Sequence, residues 1–138
     1  MLSYILSGKV IVMLDLHNQG VAPERGAVIT KAAIRAAERL DLSGRILAEV
    51  LGVSEAQVSR LRNGDAALTD RSKGFELAAL LVRVFRSLDA ITGGDEAVAR
   101  AWMRAPNAAL GARPVERIVS AQGLVDVVTY LDARRAAL

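Results

Sequence analysis

Apolar residues recur at helical spacing along most of the chain, and that periodicity predicts an all-α protein. Val28, Ile29, Ala32, Ala33, Ala36, Ala37 and Leu40 mark a first helix over about Ala27–Leu40. Asp41-Leu42-Ser43-Gly44 breaks it, and Ser43 is placed to cap the next helix. Two short helices follow, Gly44–Leu51 and Glu55–Arg62, the second stopped by Asn63-Gly64. The longest segment, Ser72–Thr92, is apolar over so wide an arc that it must be buried on two sides, inside the domain or at a subunit contact. Arg83 and Arg86 keep it from reading as a membrane span.

Gly93-Gly94 ends that helix, and Asp95 can cap another over Glu96–Arg104, with Ala97, Val98, Ala101 and Trp102 as its expected inner stripe. Pro114 suits the first turn of a short helix, Pro114–Val119. The last segment, Gly123–Ala137, has β-branched residues that suit a strand, but Leu124, Val127, Val128 and Leu131 fit a helical face. The propensity of Asp132–Ala137 decides for helix. The expected division is an N-terminal extension over 1–26 that includes a loop from Asp15 to Gly26, a DNA-binding region over 27–70, and a C-terminal helical module over 71–138.

At 138 residues the chain suffices for one domain, or two small ones sharing a core. Hydrophobic content of 52% with 24% charged residues is globular composition. There is no cysteine, which excludes disulfides, thiolate catalysis and cysteine-ligated zinc. The single histidine, His17, sits in a polar stretch and reads as a solvated loop residue. A net charge of +3 permits nucleic-acid binding without arguing for it. The apolar start, Met1–Val12, is too short to span a membrane and lacks the basic flank of a signal peptide. It reads as a translated leader with Met13 as the true start, or as an element packed on the domain; the expected location is cytoplasmic.

The chemistry lies in Leu47–Leu61, which has the spacing of a helix-turn-helix. Ala48 is small where the second helix crosses the first, and Gly52 supplies the positive φ of the turn. Ser54 and Gln57 form the Ser-x-x-Gln pattern of a capping box. With Leu47, Leu51, Val53, Val58 and Leu61 assigned inward, Ser54, Glu55, Ala56, Gln57, Ser59, Arg60, Arg62 and Asn63 are left facing outward. Arg60 suits guanine, Gln57 adenine and Glu55 cytosine, while Ser54, Arg62 and Asn63 sit where phosphates would lie. Glu49, Glu55 and Asp65 partly offset the nearby cations, so one copy should bind DNA weakly. A homodimer on a dyad-symmetric site would remedy this, with Ser72–Thr92 available for the contact. The C-terminal half shows no catalytic constellation: Asp95-Glu96 is charge at a helix start, and Gly93-Gly94 follows a helix, unlike a phosphate loop.

Gly93-Gly94-Asp95, Ala101-Trp102-Met103, Asn107, Leu110, Pro114, and Gly123 leading to Tyr130-Leu131-Asp132-Ala133-Arg134 resemble the MbcA/ParS/Xre antitoxin module. With the helix-turn-helix in front, the resemblance covers about residues 27–138. It implies a type II antitoxin that is not an enzyme, carries no cofactor or metal, represses its own operon, and silences a RES-domain toxin acting on NAD. It also implies that Tyr130, Asp132, Arg134, Arg135 and the residues to Leu138 meet that toxin at its NAD entrance. The tail is more helical than a glycine-containing end, and Met1–Gly20 has no counterpart in the family pattern. Two other readings stay open: a stand-alone regulator whose C-terminal half dimerises or senses a ligand, and an interaction module that no longer reads DNA.

Overall fold

A computed structural model describes residues 24–138, which hold seven helices and no strand. The readings for Met1–Val12, for His17 and for most of the Asp15–Gly26 loop lie outside the described residues. Helix α1 covers 24–39, so Glu24, Arg25 and Gly26 are helical where a loop was expected. Gly26 is there for closeness of approach: a Cβ on it would lie 2.1 Å from the Leu68 carbonyl oxygen. The buried Thr30 fastens the same contact, its Oγ1 donating to the Gly26 carbonyl at 2.7 Å and accepting from the Leu68 N–H at 2.9 Å.

The remaining helices are α2 (Gly44–Leu51), α3 (Glu55–Asn63), α4 (Lys73–Ile91), α5 (Glu96–Arg104), α6 (Pro114–Arg117) and α7 (Ala121–Ala136). Ser43, Ser54, Ser72, Asp95 and Ser120 each cap a helix, accepting a backbone N–H three residues on. Each such cap stabilises by about 1 kcal/mol, which explains why the expected boundaries of these capped helices hold to within a residue or two. Helix α7 begins two residues earlier than Gly123, at the Ser120 cap.

Helix α4 lies at the centre, against α7 along most of its length and against α2 and α5. Ala78, Leu81, Val84 and Leu88 are fully buried there. The inner side of this wide apolar arc is thus filled from within the chain, while Leu77, Leu80, Val82, Phe85 and Ile91 stay partly exposed. One continuous core runs from Ala33, Ala36 and Leu40 through Leu47, Leu51 and Leu81 to Leu124 and Leu131. Each such Leu contributes about 1.5–3 kcal/mol by leaving water.

Helix α5 faces differently from the expected stripe. Ala99 and Met103 are buried, Val98 is half exposed, and Ala97 and Ala101 face water. Trp102 sits at the edge of the buried arc and is only partly covered. Val28 in α1 is likewise exposed, at 61%.

Two arginines of α5 reach the far end of α1. Arg100 donates to the carbonyls of Arg39 and Glu38 at 2.9 and 3.0 Å. Arg104 donates to those of Leu40 and Asp41 at 3.1 and 2.6 Å. The last carbonyls of a helix lack partners within it, so these guanidinium groups satisfy them and join the two halves of the sequence. Asp41 itself takes the left-handed conformation (φ 58°) that closes α1.

Candidate functional site

The turn between α2 and α3 has the geometry its sequence demands. Gly52 closes α2 at φ 68°, and the Val53 N–H returns to the Ala48 carbonyl at 3.0 Å. Ser54 Oγ then accepts from the Gln57 N–H at 3.0 Å and starts α3 sharply. Among the described residues Gln57 does not return the bond, so the expected capping box is half formed. Gly64, at φ 82°, ends the helix.

Val58 and Leu61 pin α3 to the core, and this fixes what its other side presents. Ala56, Ser59, Arg60 and Asn63 occupy the middle of the exposed arc, with Glu55 and Arg62 at one margin and Gln57 at the other. Ser54 is exposed and Gln57 half-buried beside Arg60. Neither Arg60 nor Arg62 has a carboxylate partner among the described residues. Glu49 pairs with Arg45 at 3.9 Å and Lys73 with Glu76 at 4.0 Å, so neither draws on this face.

The sequence reading passed over two further cations here. Lys31 and Arg35, exposed and one turn apart on α1, line a hollow of about 290 Å³ with Glu38 of the same helix and with Arg62 and Asn63 of α3. Their spacing of four in a helix whose other face is alanine-rich was the available signal.

At the other end of the molecule, the Tyr130 ring stacks on Trp102, centroids 6.2 Å apart, and the Arg134 guanidinium lies 5.0 Å above the Tyr130 centroid. Asp132 is turned toward α4, accepting from Ser87 Oγ at 2.9 Å and from the Arg83 guanidinium. Arg135 is exposed and without a carboxylate partner among the described residues, and Leu138 is 78% exposed. Of the five residues singled out in this module, Tyr130 and Arg134 thus share one aromatic ladder. Asp132 belongs to a contact between helices, and Arg135 and Leu138 stand free. In the same half of the chain, Arg113 and Glu116 close the start of α6, the Arg113 N–H and guanidinium donating to the two carboxylate oxygens at 3.2 and 3.0 Å. That bond, more than proximity of charge, raises the Arg113 pKa and lowers that of Glu116.

No group of carboxylates or histidine among the described residues could hold a metal ion, and no described helix is long and apolar enough to cross a membrane.

Comparison with known families matches both halves of the chain. Residues 19–83 match the Antitoxin Xre-like helix-turn-helix domain. Residues 87–136 match the Antitoxin Xre/MbcA/ParS C-terminal toxin-binding domain. No curated protein matches the chain. The two matched segments adjoin inside α4, the helix that both halves of the core share. A helix-turn-helix of this type followed directly by this toxin-binding domain makes the chain a member of the Xre/MbcA/ParS antitoxin family.

Proposed function

We propose that the chain is the antitoxin of a type II pair whose toxin carries a RES domain and consumes NAD, and that it represses the shared operon through α3. It acts by binding, with no cofactor and no chemistry of its own. The observation that carries this reading is the order of the two matched domains on one core, the first presenting an unpaired polar helix face. Arg60 reads a guanine, flanked by Gln57, Glu55 and Ser59, while Ser54, Arg62 and Asn63 hold phosphates. A homodimer on a dyad-symmetric operator doubles the few phosphate contacts that one copy offers. The half-exposed Val82 and Phe85 of α4, which line an open hollow with α1, leave that helix available for the dimer contact.

Neutralisation falls to the end of α7, where Tyr130, Arg134, Arg135 and Leu138 cover the NAD entrance of the toxin; Asp132 supports them by fixing α7 to α4. Arginine suits such an occluding role because its planar fork pairs bidentately with a carboxylate. Purification of the chain with the protein encoded beside its gene tests the pairing. The complex should leave added NAD intact, and the released partner should consume it; a partner with no action on NAD would overturn the assignment of toxin. On the DNA side, Arg60→Ala should weaken operator binding by about 1–3 kcal/mol in gel shifts while toxin binding stays intact. Unchanged affinity and specificity would overturn the docking of α3.

A further inference from the structure

Most arginines of the described chain are matched by carboxylates, including Arg39, Arg83, Arg100, Arg113 and Arg117. Lys31, Arg35 and Arg62 have no carboxylate partner among the described residues, yet they line one hollow whose single acid is Glu38. Like charges four apart on a helix repel, so the folded chain holds an excess of positive charge here that an anion would relieve. The hollow is continuous with the exposed face of α3, because Arg62 and Asn63 belong to both. A polyanion lying along α3 would therefore pass over Lys31 and Arg35.

We propose that Lys31 and Arg35 hold backbone phosphates of DNA beside the bases that α3 reads, with Arg62 bridging the two contacts. The inference rests on α3 being the DNA-reading helix. Four residues of helix rise about 6 Å, and phosphates of one strand succeed each other every 3.4 Å or so along the duplex axis. The two cations can thus reach phosphates one or two apart on the same strand. Phosphate contacts add affinity and fix the register of the protein without reading sequence.

The test is a salt titration of binding by the full chain to two duplexes: one spanning the region upstream of its own gene, the other a scrambled sequence of equal length. The double variant Lys31→Gln/Arg35→Gln should bind both more weakly by the same factor, and its log–log salt slope should be shallower by about 1.8, or 0.9 per lost phosphate contact. Arg113→Gln serves as the control, since Arg113 is a half-exposed cation at the start of α6 that lines neither this hollow nor the one beside it, which Lys31 and Arg35 share with Arg86. It should leave the slope unchanged, and circular dichroism should show both variants as helical as the parent. An unchanged slope in the double variant overturns the proposal. So does an equal effect per charge from Arg113→Gln, which would mark a general effect of net charge. Loss of toxin binding with DNA binding intact would assign the hollow to an acidic protein surface instead. If the parent chain binds neither duplex, the reading of α3 fails, and this proposal with it.

Discussion

Gly123 sits inside α7 with no room for a side chain: a Cβ there would lie 1.9 Å from the Arg117 carbonyl oxygen and 2.9 Å from Ser120 Oγ. In an ordinary helix interior, replacing Gly by Ala stabilises by about 1 kcal/mol. At this position the sign should reverse, because a fixed backbone oxygen must move for the methyl to fit. Gly123→Ala should lower the melting temperature, and a rise would show that the turn between α6 and α7 yields easily. Glu116 offers a residue-scale test in pH. Its carboxyl is held below the usual carboxylate range by the bond from Arg113 and then by the Arg113 N–H. A lowered folded-state pKa means the stabilisation is fully present above the pKa of the unfolded chain and is lost as pH falls through the folded value. Glu116→Gln should therefore be less stable than the parent near neutral pH, with the two curves converging in acid; parallel curves would deny the bond any role.

The α2–α3 pair was legible in the sequence because its constraints are local. Gly52 in the turn, Ser54 at the cap and Gly64 at the stop are each required within a few bonds of where they act. Helix α5 was legible in extent but not in facing. Alanines lie all around it, so the periodic signal is weak, and Trp102 drew the expected stripe toward itself. The structure buries Ala99 and Met103 and leaves Trp102 as the partner of Tyr130. Trp102→Ala should accordingly cost less than the loss of about 3–5 kcal/mol expected for a fully buried tryptophan. It should also free the Tyr130 ring and the Arg134 guanidinium resting on it, so toxin binding should fall further than the melting temperature implies. A stability loss of the full size, with binding reduced only in proportion, would return Trp102 to the core.

For the whole molecule, what the sequence kept hidden is long-range contact. The guanidinium groups of Arg100 and Arg104 on the carbonyls ending α1 join residues more than sixty positions apart, and periodicity carries no trace of such pairs. The cationic hollow between α1 and α3 is equally a product of packing. The core is also continuous through α4, the helix within which the two matched segments adjoin. The segment beyond this core is short. Leu131 is the last buried residue, and Arg134 to Leu138 contribute exposed side chains alone, so the fold should tolerate their removal. The most direct test of the account is co-expression of the toxin with the full chain or with one lacking Arg134–Leu138, reading growth and cellular NAD. The full chain should protect, while the shortened chain should fold and bind operator but let NAD fall. Full protection by the shortened chain would contradict it and move inhibition onto the body of the C-terminal module.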